Sequence, residues 1–124
     1  MNLVDSSGWL SYLLDEPNAD RFAPAILATE ELLVPSIVVL EVYRHLRRFL
    51  GTETAIRAVA PMSEGHSLDL TNEIAISAGE LGRRHSLPLA DSVILASARG
   101  RDATVWTQDS DFEGLDRVEY IPRA

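Results

Sequence analysis

Two aspartates separated by one residue follow a β-favouring run in "VWTQDSDF", residues 105–112. Like charges repel and a single Asp or Asn is enough to make a turn, so the pair either forms an ordinary polar turn or holds another group. Carboxylates are the protein ligands that hard cations such as Mg²⁺ and Mn²⁺ prefer. The stretch therefore raises the question of which other carboxylates lie beside Asp109 and Asp111.

Three further carboxylates stand near the end of a predicted strand or the start of a predicted helix. Asp5 closes the run "NLV", Glu41 lies within two turns of "LLVP", and Asp91 opens a helical segment after "LPLA". In open parallel sheets, ligands bind beyond the carboxyl ends of the strands. We therefore expect all five carboxylates at one edge of a sheet.

Each position also has an ordinary structural explanation. Asp5 and Asp91 are good helix N-caps, and Glu41 has Arg and His residues three and four positions further along its helix. The final Asp pair is compatible with a solvated turn. No single position is specific, and the metal-site hypothesis depends on the whole set.

The elements that would position these residues alternate along the chain. Strands are predicted at "NLVD", "LLVP", "ATVWT" and "RVEYIP", and helices at "SSGWLSYLLDEP", "ADRFAPAILATEE", "SIVVLEVYRHLRRFLG", "TETAIRAVAP", "TNEIAISAGELGRRHS" and "ADSVILASARG". Such alternation predicts an α/β fold with a mainly parallel sheet covered by helices on both faces.

The long third helix is predicted to separate an apolar stripe from a charged face. Ser36 is its predicted N-cap and Gly51 its end. Helical spacing predicts a buried stripe made of Val39, Val42, Tyr43, Leu46, Phe49 and Leu50, and an opposite face made of Glu41, Arg44, His45 and Arg48.

Composition limits the class of protein and of metal site. With 124 residues, 46% of them hydrophobic, residues 1–124 are predicted to form a single domain. The chain has no cysteine, which excludes disulfides and thiolate sites, and its three histidines lack the spacing of a zinc site. No signal peptide or membrane-length apolar run is present, so we expect a cytoplasmic protein that does not enter a membrane.

The charged residues favour local phosphate recognition. The net charge is −8, and all eleven basic residues are arginine. Arginine suits bidentate phosphate binding, whereas the acidic balance argues against nonspecific coating of nucleic acid. The absence of lysine also excludes any mechanism that needs a lysine amine.

Taken together, these motifs resemble the PIN-domain nuclease family and, within it, the VapC-like toxins of prokaryotic toxin–antitoxin pairs. The resemblance runs from "LVDSSGWL" through "PSIVVLEVYRHLRR" and "LPLADSVILASA" to "VWTQDSDF" and "VEYI". The family's motif positions match Asp5, Ser7, Glu41, Asp91, Thr107, Asp109 and Asp111. The resemblance implies a PIN-like three-layer sandwich and metal-dependent hydrolysis of RNA that leaves a 5′-phosphate and a 3′-hydroxyl.

The resemblance also assigns roles to individual residues. Asp5, Asp91 and Asp109 would bind Mg²⁺ or Mn²⁺, with Asp111 either assisting or ordering the loop. Glu41 would orient or deprotonate the attacking water or hold a second ion. Ser7 and Thr107 would hold the carboxylates by hydrogen bonds. Arg44 and Arg48 would either bind substrate phosphates or remain solvated charges.

Partners follow from the same resemblance. A homodimer and a small antitoxin protein are expected, and the antitoxin would contact apolar side chains. Trp9, Tyr12, Leu13 and the helix carrying Tyr43 either provide that contact or belong to the core.

Three rival classes fit the size or the acidic set less well. A receiver-type phospho-acceptor domain normally uses a lysine late in the sheet, and this chain has none. Haloacid-dehalogenase-like phosphatases expect a second Asp where this chain has Ser7. A noncatalytic interaction module would leave the acidic set unexplained.

Overall fold

A computed structural model describes residues 1–124 of the chain. The five strands are β1 (Asn2–Val4), β2 (Leu32–Pro35), β3 (His66–Leu68), β4 (Thr104–Thr107) and β5 (Val118–Tyr120). The six helices are α1 (Ser6–Leu13), α2 (Ala19–Leu27), α3 (Ser36–Leu50), α4 (Thr52–Val59), α5 (Asn72–His85) and α6 (Leu89–Gly100). None of these helices has the length and apolar character that crossing a membrane requires.

All neighbouring strands pair in parallel, in the order β3-β2-β1-β4-β5. Asn2 of β1 lies in register with Leu32 on one side and with Thr104 on the other. Because the pairing is parallel, the carboxyl ends of all strands meet at one edge. The predicted α/β fold, a central parallel sheet flanked by helices, is confirmed.

The core lies between the sheet and the helices and explains the continuous apolar runs of the inner strands. All four residues of β2 are buried, as are Leu3 and Val4 of β1. Helices cover both faces of such strands, which therefore lose the alternating pattern of half-exposed strands. Trp9 is fully buried in this core, and Tyr12 and Leu13 pack against it.

Some local predictions were wrong. Strand β3 was not predicted, because "HSL" has only three residues, two of them exposed, and is ordered by pairing with β2. The N-cap of α3 is Pro35, not Ser36. Helix α6 starts at Leu89 after Pro88, so Asp91 lies in its first turn and does not cap it.

The apolar stripe of α3 is shorter than predicted. Val42 and Leu46 are buried, but Phe49 and Leu50 are 68% and 42% exposed. The last buried residue of the helix is Leu46, so the final turn extends beyond the core. Helical periodicity assigned Phe49 to a face of the helix but could not show where the core ends.

Candidate metal centre

Asp5 is buried at the bottom of the site, at the carboxyl edge of the sheet. It is 2% exposed and caps α1, since its Oδ1 accepts a hydrogen bond from the Gly8 N–H at 3.0 Å. Ser7 Oγ donates to the same oxygen at 2.7 Å, and Thr107 Oγ1 donates to Oδ2 at 2.5 Å. Asp5 therefore acts as a helix cap and also presents a fixed carboxylate to the edge of the sheet.

The hydroxyls of Ser7 and Thr107 connect the end of β1 to the end of β4. Thr107 Oγ1 accepts from the Asp109 N–H at 2.8 Å while it donates to Asp5. Ser7 Oγ accepts from the Gln108 N–H at 2.9 Å while it donates to Asp5. Each hydroxyl therefore has both a donor and an acceptor partner, and this arrangement fixes the orientation of Asp5.

A group of three carboxylates lies beside Asp5. One carboxylate oxygen from each of Asp91, Asp109 and Asp111 lies within 4.8 Å of the other two. Asp91 comes from the first turn of α6, whereas Asp109 and Asp111 come from the turn after β4. Asp109 is half-buried and its Oδ1 accepts from the Asp111 N–H at 2.9 Å, while Asp111 is exposed. The "DSD" turn is thus a self-capped polar turn whose two carboxylates both face Asp91.

Glu41 reaches the site from the second turn of α3. Ser6 Oγ donates to its Oε1 at 3.0 Å, which links α3 to the start of α1. Glu41, Arg44, His45 and Arg48 line a concavity of about 220 Å³. Neither Arg44 nor Arg48 takes part in an ion pair, because the two ion pairs of the chain involve other arginines.

The carboxyl groups of Asp91 and Asp5 both have raised pKa values. Burial raises the pKa of Asp91 above its usual value, and the charges of Asp109, Asp5, Glu41 and Asp111 raise it further, to about 7. Burial also raises the pKa of Asp5 to about 6, against the opposing effect of its hydrogen bonds from Thr107, Ser7 and Gly8. Burial is the main cause of both shifts, and the charges of neighbouring carboxylates add to it, more so for Asp91 than for Asp5.

The donor set fits a hard divalent cation. The clustered ligand atoms are carboxylate oxygens, and no arginine forms an ion pair with any of the five acids. A cation would offset the repulsion that raises the pKa of Asp91. The residues present therefore fit Mg²⁺ or Mn²⁺ better than a metal that prefers thiolate or imidazole ligands.

Three polar residues of the site were missed by the sequence analysis. Ser6 binds Glu41, and Gln108 donates through Nε2 to the Ser7 carbonyl at 3.1 Å. Asn18 donates to Gln108 Oε1 at 2.7 Å and to the Pro122 carbonyl at 2.9 Å. Because Ser6 directly follows Asp5, the sequence could have identified it as a residue of the site. No sequence signal joins Asn18 to Gln108, because they are 90 residues apart.

A PIN domain family model matches residues 3–118. No curated protein sequence matches this chain. Among solved structures, the chain is similar to a toxin–antitoxin complex from Klebsiella pneumoniae, with a TM-score of 0.79, 21% identity and full coverage of both chains.

Two further solved structures show the same fold. VapC20 from Mycobacterium tuberculosis, described as a sarcin-ricin loop cleaving toxin, has a TM-score of 0.79 and 18% identity over 98% of this chain and 100% of that one. DNA-bound VapBC from Salmonella typhimurium has a TM-score of 0.78 and 20% identity over 98% of each chain. With the family model matching most of its length, the chain belongs to the PIN domain family.

Proposed function

We propose that this protein is a metal-dependent endoribonuclease and the toxin component of a toxin–antitoxin pair. The observation that carries the proposal is the convergence of five carboxylates at the carboxyl edge of the sheet, with no arginine to neutralise them. Membership of the PIN family favours this over a receiver domain or a dehalogenase-like phosphatase. A noncatalytic PIN module is the outcome against which the proposal is tested.

Asp5, Asp91, Asp109 and Asp111 are the residues that would hold Mg²⁺ or Mn²⁺. When bound, the ion polarises the phosphodiester and lowers the pKa of a water molecule. Asp5 is already oriented by three donors, and Asp109 is tied to Thr107 through its own N–H. These ligands would therefore need little rearrangement on binding the ion.

The remaining residues bind substrate and move a proton. Glu41, oriented by Ser6, takes the proton of the attacking water on a carboxylate oxygen. Water attacks phosphorus, the bond from phosphorus to the 3′-oxygen breaks, and the departing 3′-oxygen takes a proton from solvent, which leaves a 5′-phosphate and a 3′-hydroxyl. Arg44 and Arg48 bind the phosphates that flank this bond, since both are exposed and free of carboxylate partners.

The proposed partners rest on the structural relatives. The similar structures include a toxin–antitoxin complex, a VapBC complex and a toxin described as cleaving the sarcin-ricin loop. By analogy we propose that an antitoxin protein binds this chain, that the chain forms a homodimer, and that residues 1–124 act as a single PIN domain in the cytoplasm.

The first prediction concerns cleavage. Purified protein should cut structured RNA with Mg²⁺ or Mn²⁺ and lose this activity in EDTA, in Asp5→Asn and in Asp91→Asn. Glu30→Gln, which changes an acid remote from the site, is the control and should remain active. Analysis of the RNA ends should find 5′-phosphates. Full activity of Asp5→Asn and Asp91→Asn in chelated buffer would contradict the proposal.

A further inference from the structure

The exposed surface of α3 next to the acidic site carries a strip of arginine and aromatic side chains. The strip consists of Arg44, His45, Arg48 and Phe49. Arg44 and Arg48 share the concavity with Glu41, and Arg47 is exposed on the same helix. None of these arginines forms an ion pair, although the chain carries a net charge of −8. Unpaired positive charge on one helix of an acidic protein is complementary to a phosphate backbone.

An aromatic pair belongs to this strip, with His45 in the concavity beside the arginines and Phe49 one turn further along the helix. The rings of His45 and Phe49 have their centroids 5.1 Å apart with an interplanar angle of 55°. His45 is exposed, and Phe49 is 68% exposed because the last turn of α3 extends beyond the core. A phenylalanine left in water beside a second ring is a surface available for a ligand with a flat face.

The position of this pair suits a nucleobase near the reacting phosphate. At about 1.5 Å per residue, Phe49 lies about 12 Å along the helix axis from Glu41, with His45 midway between them. Unpaired RNA bases are recognised by stacking on aromatic side chains while arginines bind the backbone. Both elements of such a binding site are present on one helix here.

We propose that His45 and Phe49 form a stacking surface for an unpaired base of the RNA, flanked by Arg44 and Arg48 on its phosphates. The proposal rests on the proposed nuclease function and specifies its substrate class. RNA with a single-stranded loop or bulge a few nucleotides from the hydrolysed bond is preferred over continuous duplex.

A protein partner fits this strip less well than RNA. Arginine and aromatic residues also occur at protein–protein interfaces, but the buried centre of such an interface is apolar and depleted in glutamate. The concavity beside Phe49 is lined by Glu41, Arg44, His45 and Arg48 alone, without a hydrophobic side chain. RNA provides phosphates for the arginines and a base for the rings in one ligand.

Binding should be measured separately from cleavage, in an Asp91→Asn background with EDTA at low salt. The probe is a short single-stranded RNA that carries one 2-aminopurine, whose fluorescence is quenched when the base stacks. Phe49→Leu should abolish the quenching and weaken binding about 5- to 150-fold, equivalent to about 1–3 kcal/mol per stacked base. Phe49→Tyr retains a ring face and should restore both signals.

Ile76→Ala is the matched control, because Ile76 is a 72% exposed apolar residue on α5 and its loss should leave RNA binding unchanged. Unchanged binding and quenching in Phe49→Leu would overturn the stacking surface while leaving the nuclease proposal intact, provided that the wild type still cleaves RNA. Loss of self-association in Phe49→Leu, with RNA binding unaffected, would identify the strip as a protein interface and also overturn the proposal. Absence of RNA binding in every variant would overturn the stacking surface, and the nuclease function would fall with it only if the wild type with Mn²⁺ also fails to cleave RNA.

Discussion

At the scale of single residues, burial and the neighbouring carboxylates both disfavour the charged form of Asp91. Its pKa is about 7 in the folded chain, against 3.8 for an unperturbed Asp. Between these pH values the folded state binds more protons than the unfolded state. The free energy of unfolding therefore falls as pH rises from about 4 to about 7.

The second prediction follows from this decrease in the free energy of unfolding with rising pH. In EDTA, wild type should lose stability between pH 5 and pH 8, and Asp91→Asn should lose less, because Asn has no charge to place among the acids. The variant should also be at least as stable as wild type at pH 8, whereas most substitutions destabilise. Urea titrations of both proteins at pH 5 and pH 8 measure these free energies of unfolding. An equal loss in the two proteins would show that the pKa of Asp91 is not raised in the folded state.

At the scale of secondary structure, the site depends on close packing of α1 against β1 and α2. A Cβ added at Gly8 would lie 2.6 Å from Val4 Cγ1 and 2.8 Å from the ring of Phe22. Gly8 also donates its N–H to Asp5. The absence of a side chain at residue 8 therefore lets the helix begin directly above the strand and places its cap in the acidic site.

The third prediction tests this packing. Gly8→Ala should lower the free energy of unfolding by about 1–3 kcal/mol, because the added methyl group overpacks the core. It should also weaken Mn²⁺ binding by displacing Asp5. Gly100→Ala is the control, since a Cβ there meets nothing within 4 Å. Denaturant unfolding and Mn²⁺ titration measure the two effects, and wild-type behaviour of Gly8→Ala would contradict the packing described.

The elements also show what the sequence could and could not predict. Buried parallel strands such as β1 and β2 are continuous apolar runs, so they and the acids after them could be located from sequence. Strand β3 depends on its partner β2 and has no periodic pattern of its own. The contact of Ser6 with Glu41 joins residues 35 apart and follows only from the folded arrangement of α1 and α3.

At the scale of the whole molecule, an exposed apolar groove between α3, α5 and α6 is the surface most suited to the proposed homodimer. It has a volume of about 290 Å³ and is lined by Ile37, Leu70, Ala75, Ala78, Gly79, Leu89, Ala90, Ser92 and Val93. Leu89 is 86% exposed. Exposed apolar patches of this kind commonly mark interfaces.

The fourth prediction is that the protein has twice its chain mass of 13.7 kDa in solution. Leu89→Gln should shift it toward monomer, because the change puts a polar group into the apolar contact. Leu27→Gln, at a 66% exposed residue of α2, should not. Light scattering at several concentrations decides between these outcomes. A wild-type monomer at high concentration, or equal effects of the two changes, would argue against this interface.

The central claim is that the carboxylates at the sheet edge form one divalent-metal site, and metal-dependent thermal stability tests it without knowledge of the RNA. Mn²⁺ at about 100 times its Kd should stabilise wild type by about 2.7 kcal/mol, or roughly 10 °C for a chain of this size. The rise should shrink or vanish in Asp91→Asn and remain intact in Glu30→Gln. Equal rises in all three proteins, or none in wild type, would contradict the metal site.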